Sequence, residues 1–447
     1  MTTSTGLTTS SSSRRAFLKR SAAAALASTL APAVFAAEDN TISIALVGCG
    51  SRGAGAAANA LSTAGPTRIV AMADVFADRL DFAHQTLQTQ FREKIAVPPD
   101  RRFVGFDAYR KAIDALPANS VVILATPPVF RPLHLEYAVQ KGCHVFMEKS
   151  FAVDVPGVRR IIAAGKLAQE KNIKVLGGLM WRHDAARQAV VQKLHDGAIG
   201  PINCLRAYFM IGAFGLILRQ PQQTEMAHQI ANFGNFTWLG GGFFAERAIH
   251  NIDFACWIKD ALPVSAQGQA GRQTRTAPDD LLDHYFVEYT FADGTPLFAQ
   301  ARHMDACHTA FAAYAHGAKG SAAILANLDG AQARIYSSHQ QARKNETWRY
   351  AGEPPMPYQA EHDLLFDAIR NNKPCNDAER CAHASMTSIL GRIAAESGQL
   401  VTWDRAFASN LELAPNLDRL TLQSNPPTLP DTTGRYPIPI PGQTRLL

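Results

Sequence analysis

No Cys-x-x-Cys pair occurs in the 447 residues, and the seven cysteines, at 49, 143, 204, 256, 307, 375 and 381, are odd in number and scattered. That excludes a zinc ribbon or a disulfide-stapled scaffold. Cys375 and Cys381 lie near each other in sequence, but buried free thiols are the expectation for both. There is no internal repeat. Downstream of residue 36 no stretch holds 18 clean apolar residues, so no stable membrane span is expected. The most apolar stretch, residues 208–218, is short and contains Gly212 and Gly215. An excess of one charge sign is also missing from most of the chain. The formal charge of +6 comes from 44 basic and 38 acidic residues, but Arg14, Arg15, Lys19 and Arg20 sit in an acid-free first 36 residues. Without them the balance is 40 to 38, and no basic tract is left to cover phosphates, which disfavours nucleic acid. With 47% apolar and 18% charged residues, neither disorder nor a collagen repeat fits. The length asks for two domains plus extensions.

The N-terminus is distinctive. Ser13-Arg14-Arg15-Ala16-Phe17-Leu18-Lys19 follows a Ser-rich start, and a weakly apolar run over residues 22–35 is broken by Ser28, Thr29 and Pro32. It ends at Val34-Phe35-Ala36, a small-residue cleavage pattern, and the whole resembles a twin-arginine export signal. Residues 1–36 are therefore expected to be a leader read by the twin-arginine export machinery. The protein is then periplasmic or secreted, and exported already folded.

Residues 41–47 (TISIALV) form a short β-rich apolar run that leads directly into Gly48-Cys49-Gly50-Ser51-Arg52-Gly53 and then into an Ala-rich helical stretch over 54–64. A lone GxGxxG is weak, but a strand before it and a helix after it is the context its mechanism requires. Gly48 permits the tight turn, Gly50 lets backbone approach a pyrophosphate, and Gly53 allows close packing of helix on strand. The N–H groups at the helix start, near Ser51 and Arg52, then face phosphate. A second strand over 68–73 ends at Asp74, 21 residues beyond Gly53, where a carboxylate binds a ribose 2′-hydroxyl. That carboxylate repels a 2′-phosphate and favours NAD; Arg52 and Arg79 keep NADP open. Strands over 120–125, 144–147 and 174–176 alternate with helices over 78–91, 132–140 and 158–170. This alternation predicts a doubly wound parallel sheet. Ligands in such sheets sit beyond the strand C-termini, where Gly48–Gly53, Asp74, Thr126, Pro127, Glu148 and Lys149 all fall.

After residue 202 the pattern changes to long strands, over 202–208, 264–271, 284–290 and 297–301, with a hairpin turn at Ala292-Asp293-Gly294. Without long helices between the last of these, the second sheet should be large and mainly antiparallel. Helices are expected over 184–195, 361–370 and 381–397. Seven prolines in residues 415–447 make an extended strap, with Leu420, Tyr436, Ile438 and Ile440 as its apolar contacts. Read as one helix, residues 243–260 place Glu246, His250, Asp253 and Trp257 on one stripe and Ile249, Ile252 and Cys256 on an adjacent apolar one. The first stripe is either general acid/base machinery, with Glu246 tuning His250, or a surface pairing of little consequence.

Together these segments resemble the Gfo/Idh/MocA oxidoreductase family. The resemblance is carried by Gly48–Gly53, by Ala125-Thr126-Pro127-Pro128 with His134, and by Gly142-Cys143-His144-Val145-Phe146-Met147-Glu148-Lys149. Asp196-Gly197-Ala198-Ile199-Gly200, residues 246–253 and Gly391-Arg392-Ile393-Ala394 add to it. Among members it is most similar to the exported bacterial subgroup, through the leader, His316-Gly317-Ala318-Lys319-Gly320 and the Pro-rich tail. The resemblance implies an N-terminal Rossmann domain (37–176) and a substrate and oligomerisation α/β domain with a large open sheet (177–410), followed by the strap (411–447). It implies a small-molecule partner, a sugar or polyol whose carbon exchanges hydride with NAD(P), and a homo-oligomer. It makes Lys149 and His250 catalytic with Glu246 as acidic partner, puts His134 and Glu148 among the cofactor contacts, and offers Arg182, His183 and Asp253 to the substrate. No metal is implied. The family's proline after Lys149 is Ser150 here, which should loosen the turn that presents the lysine. A periplasm has no nicotinamide pool, so the cofactor is expected to stay bound and return to its starting state in each cycle. A sugar-to-sugar oxidoreductase meets that condition, and so does a redox-neutral NAD-dependent glycosidase. A noncatalytic sugar or nucleotide binder is the third reading.

Overall fold

The computed structural model describes residues 40–326, 333–353 and 355–447; the expected leader lies outside them. Six strands, β1 (Ile42–Val47), β2 (Thr67–Asp74), β3 (Arg102–Val104), β4 (Val121–Leu124), β5 (His144–Met147) and β6 (Val175–Gly177), form one parallel sheet in the order 3-2-1-4-5-6. The burial of the central strands follows from composition. β4 and β5 are buried along their whole length, as apolar runs covered on both faces must be. The helices that cover them are α1 (Ser51–Leu61), α2 (Ala77–Gln90), α3 (Ala108–Asp114), α4 (Arg131–Gln140) and α5 (Val155–Glu170). Where β1 turns into α1, Gly48 has φ +96°, and a Cβ there would meet the Ala125 carbonyl carbon at 2.6 Å. A Cβ at Gly53 would lie 1.9 Å from the Gly48 oxygen. Both glycines are therefore demanded by the turn and by helix–strand contact.

The second sheet has nine strands in the order 14-13-12-11-7-10-9-8-15. They are β7 (Ile202–Ile211), β8 (Ser265–Gly271), β9 (His284–Thr290), β10 (Pro296–His303), β11 (Ala310–Gly317), β12 (Gly320–Ala326), β13 (Arg334–Tyr336), β14 (Glu346–Arg349) and β15 (Val401–Thr402). Only β7 and β10 pair in parallel, so the sheet is mainly antiparallel as expected. The turn at 292–294 joins β9 to β10, and residues 316–320 close the β11–β12 hairpin. Strands 11 to 15 have no counterpart in the sequence reading; they are short or Ala-rich, which weakens alternation as a signal. One face of this sheet is covered by helices. α6 (Ala185–His195) follows the first sheet, and α7 (Glu225–Ala231) follows β7. α8 (Gly242–Arg247) and α9 (Ile249–Lys259) precede β8. Late in the chain, α10 (Pro357–Arg370) packs back on α1, and α11 (Ala378–Ser397) packs on both α5 and β8. α11 thus ties the two sheets into one buried core.

The single helix expected over 243–260 is two. Ala248 has ψ −4° and ends the first segment. The Glu246 carbonyl accepts from Lys149 Nζ at 3.0 Å and from Ser150 Oγ at 3.4 Å, so the chain bends to serve a neighbouring turn. Ile249, Ile252 and Cys256 are buried as the apolar stripe required. The tail is extended apart from a 3-10 turn at Leu417–Arg419 and hydrogen-bonded turns at 421–424, 431–434 and 440–443. Leu420 and Tyr436 pack on a small apolar cluster, whereas Ile438 and Ile440 stay exposed and make no strap contact of that kind. All seven cysteines are free thiols.

Candidate functional site

The C-terminal ends of the parallel strands open into two cavities. A cleft of about 910 Å³ is lined by the Gly50–Gly53 loop, Glu148, Lys149, Glu246 and His250. A narrower slot of about 110 Å³ is lined by Gly48, Asp74, Thr126, Pro127 and His134. Thus the glycine loop, Asp74, the strand-end residues and the Lys149–His250 pair do converge. Gly50 has open space where a Cβ would stand, so its backbone is approachable. α1 starts there with no side-chain cap and no acid in its first turn, leaving its N–H groups and dipole for an anion.

Asp74 ends β2 and already accepts from Cys49 N at 2.6 Å on one oxygen and from Phe76 N at 2.9 Å on the other. Burial raises its pKa against those donors. His134 lies at 4.0 Å from the Tyr109 ring in a stacked pair, with Nδ1 3.2 Å from Thr126 Oγ1, and burial pushes it down to about 3. It is a neutral, packed wall of the slot. Arg52 does not point at open space. Its Nε donates to Glu148 Oε1 at 2.5 Å, and its guanidinium lies 4.3 Å over the Tyr358 ring of α10.

The Lys149 side chain is 18% exposed, and its Nζ donates to Glu246 Oε1 at 2.9 Å as well as to the Glu246 carbonyl, leaving one of its three protons for the cleft. Burial lowers the Lys149 pKa while Glu246 opposes the shift. Burial would raise Glu246, but the charges of Lys149 and of Arg247, which also contacts its carboxylate, hold it below its ordinary value. The expectation that Glu246 tunes His250 is therefore corrected. Two cations capture the carboxylate, and the break at Ala248 removes the stripe. The His250 ring makes no hydrogen bond among the described residues and faces the cleft. Burial and the Lys149 charge push it down to about 3, so it is a neutral imidazole at ordinary pH.

Ser150 does not loosen the turn. It is buried, its one hydroxyl proton is shared between the Ala245 carbonyl at 3.1 Å and the Glu246 carbonyl at 3.4 Å, and its own carbonyl accepts from Arg131 Nη1. Hydrogen bonds to α8 and α4 replace the restraint of a proline ring.

Arg182, His183 and Asp253 are not brought to the cleft, which corrects their assignment to the substrate. Arg182 sits on the turn Met180–His183 that packs against α10. It pairs with Asp253 through two hydrogen bonds, 2.7 and 2.9 Å, and lies 5.0 Å over the Trp257 ring. The pair braces α9. His183 lines a separate cavity with Asp377 and Arg380. Arg79, named with Arg52 for the nucleotide, does line the cleft; Arg131, Phe233, Arg247 and Tyr358 line it without having been singled out for it. Arg131 lies within the noted 125–134 segment and Arg247 beside Glu246, but neither belongs to a spacing pattern. Among the described residues no cluster of three or more His, Cys, Asp or Glu side chains is placed to hold a metal ion, and no helix is long and apolar enough to cross a membrane.

No family model matches the chain. It is 26% identical over 258 residues to the inositol 2-dehydrogenase of Ralstonia nicotianae, covering 57% of this chain and 65% of that relative. The chain thus spans about two-thirds or less of the length of the curated relatives it matches. Its fold is similar to that of an aldose–aldose oxidoreductase from Caulobacter crescentus complexed with glycerol. That similarity has a TM-score of 0.61 at 18% identity and covers 81% of this chain and 99% of that one. A scyllo-inositol dehydrogenase from Lactobacillus casei with bound NAD(H) and scyllo-inositol superposes with a TM-score of 0.60 at 19% identity, covering 81% and 99%.

Proposed function

We propose that the chain, similar in sequence to an inositol 2-dehydrogenase and in fold to an aldose–aldose oxidoreductase, is an NAD(P)-dependent oxidoreductase of the Gfo/Idh/MocA type acting on a hydroxyl or keto carbon of a sugar or polyol. The observation that carries this reading is the pairing of Lys149 Nζ, one proton unspent, with the unpartnered neutral ring of His250 in a cleft that continues into the glycine-loop slot. A dinucleotide fits the residues present: the open face of Gly50, the free N-terminus of α1 and the Asp74 carboxylate would hold its pyrophosphate and ribose. When bound, the nicotinamide supplies the hydride acceptor or donor. Asp74 favours NAD, while Arg79 beside the same slot leaves room for a 2′-phosphate.

Oxidation of a hydroxyl carbon also requires that the O–H proton leave and that charge on the oxygen be stabilised. His250, already neutral, accepts the proton, and the Lys149 ammonium donates its remaining hydrogen bond to the oxygen. The same ammonium that weakens His250 as a base also makes a hydroxyl it touches more acidic. Glu246 keeps Lys149 charged and aimed. The reverse reduction uses the same groups with the proton returned. The test is the near-ultraviolet spectrum of the purified protein, loaded with NAD if necessary, titrated with a panel of free sugars and polyols. Reduction of the nicotinamide that is lost in Lys149→Met and His250→Ala, with binding retained, supports the reading. A spectrum unmoved by every sugar, with aglycone released from glycosides, points instead to the redox-neutral glycosidase.

Three further features belong to the same proposal. Export rests on the Arg14-Arg15 leader, and cell fractionation of an Arg14→Lys, Arg15→Lys variant tests it. Retention of the cofactor through each cycle follows from a destination without a nicotinamide pool. Homo-oligomerisation through the uncovered face of the second sheet is supported by Phe286, 41% exposed, beside Phe298, and light scattering in solution tests it.

A further inference from the structure

The slot and the cleft meet at a neck. Gly50, Arg79, Ala125 and Phe233 line both cavities. Three of these come from the first sheet and its helices, but Phe233 follows α7 and comes from the second half of the chain. Ile230 adds to the slot wall and Ala231 to the cleft wall. Residues 230–233 therefore cross between the two cavities opposite the glycine loop.

This crossing is tied on both sides. Toward the first sheet, Arg79 Nη2 donates to the Ala231 carbonyl at 3.2 Å, and its guanidinium lies 4.7 Å over the Phe76 ring, next to Asp74. On its outer side the C-terminal tail holds it. Thr224 Oγ1 donates to the Leu422 carbonyl at 2.7 Å, Gln229 Nε2 to the Thr428 carbonyl at 2.8 Å, and the Tyr436 hydroxyl to Glu225 Oε1. The Tyr436 ring stands edge-on to Phe236 at 5.1 Å. Gln229 is fully buried, and Trp238 Nε1 donates to its Oε1 at 2.6 Å. Tail residues 417–423 also wall a further cavity that shares Phe106, Tyr109 and His134 with the slot.

A molecule occupying both cavities is a two-lobed one joined through a narrow polar linker at the start of α1, which is the shape of a dinucleotide with its pyrophosphate at the neck. We propose that residues 225–235 form the second half of the dinucleotide site, closing over the linker. The tail, through Tyr436 and its neighbours, sets how long the dinucleotide stays. The inference rests on the nicotinamide reading above. Ile230 and Phe233 cover the apolar faces of the adenosine half, and Arg79, held by the Ala231 carbonyl, stands at the neck. A dinucleotide of this kind leaves only when the crossing lifts, and the crossing lifts only when the tail lets go.

The experiment measures the dissociation rate of reduced NAD from the full chain, by loss of its fluorescence during a chase with excess oxidised NAD. It compares the parent with Tyr436→Phe, which removes one hydroxyl and keeps the ring, and with a chain truncated after residue 410. Release about tenfold faster in Tyr436→Phe, the expected result of losing one charge-assisted hydrogen bond, and faster again in the truncated chain, supports the proposal. If the truncated chain does not fold, the double variant Tyr436→Phe, Thr224→Val decides in its place. Release within about twofold of the parent from these folded variants overturns the role of the tail. A parent chain that binds no nicotinamide dinucleotide overturns the functional reading, and this inference with it.

Discussion

At the scale of single residues, the site is governed by which charge reaches which partner. Two causes depress His250 to about 3, burial and the Lys149 ammonium, and only the second can be removed without reshaping the pocket. In Lys149→Met the His250 pKa should rise, though not to its ordinary value because burial remains. Histidine NMR titration checks this, and an unmoved titration would show that the two side chains are electrically independent. Glu361 offers a second test. It is fully buried with neither carboxyl oxygen hydrogen-bonded, and burial together with Glu148 raises its pKa well above the ordinary range. A carboxyl with a raised folded-state pKa contributes stability below its unfolded pKa and loses it as pH rises. Glu361→Gln is therefore expected to gain relative to the parent as the solution becomes alkaline, read as the difference in urea midpoint at pH 6 and pH 9. Lys149 and His250 were legible because each sits in a segment with its own signature. The destination of the Glu246 carboxylate was not, since its partner is 97 residues away.

At the scale of elements, two local bonds hold the reacting groups in place. The Ser150 hydroxyl fastens the β5 turn to the end of α8. Ser150→Ala should cost about 1 kcal/mol in stability and lower kcat more than it raises KM, because Lys149 loses its footing while the cleft keeps its shape. Steady-state kinetics with urea unfolding separate the two effects. The Arg182–Asp253 pair, with side chains 15% and 8% exposed, fastens the turn after β6 to α9. Removing one partner leaves a buried charge, so Asp253→Ala should destabilise by about 3–5 kcal/mol. Sugar KM should hardly change in the folded fraction; a large KM effect at normal stability would return Asp253 to the substrate. Five of the six parallel strands and most of their helices were legible within a few residues, because apolar runs and glycine turns are local; the three-residue β3 and the short α3 were not, being too short to show a period. The break at Ala248 was not, because a continuous helical pattern gives no hint that an outside lysine and serine will take the Glu246 carbonyl.

At the scale of the whole molecule, four histidines in the first half or against it are held neutral, three of them buried and His250 half-buried at the cleft. His134, His250 and His362 are pushed to about 3, and His144 to about 4, mainly by burial. Each has a folded-state pKa below its unfolded value of about 6.5. Their contribution to stability is complete above that value and is lost as pH falls toward 3–4. The urea midpoint should hold level from neutrality upward as far as these groups are concerned, and fall steadily on acidification. His362→Phe, at a site where the ring already packs 4.0 Å from Phe146 and has no hydrogen-bond partner, should flatten the acid limb. An unchanged slope would assign acid sensitivity to other groups.

The sequence by itself determined the parallel sheet, the glycine turn, the carboxylate at the end of β2 and the meeting of site residues at the strand C-termini. These depend on periodicity and backbone geometry over a few residues, and local physics suffices for them. Only the tertiary structure decided which cation Glu246 serves, that Arg182 and Asp253 neutralise each other away from the cleft, and that residues 230–233 cross the site beneath a C-terminal tail. Ion pairs and cavity walls depend on distances between segments far apart in the chain, and residue spacing carries no record of those distances.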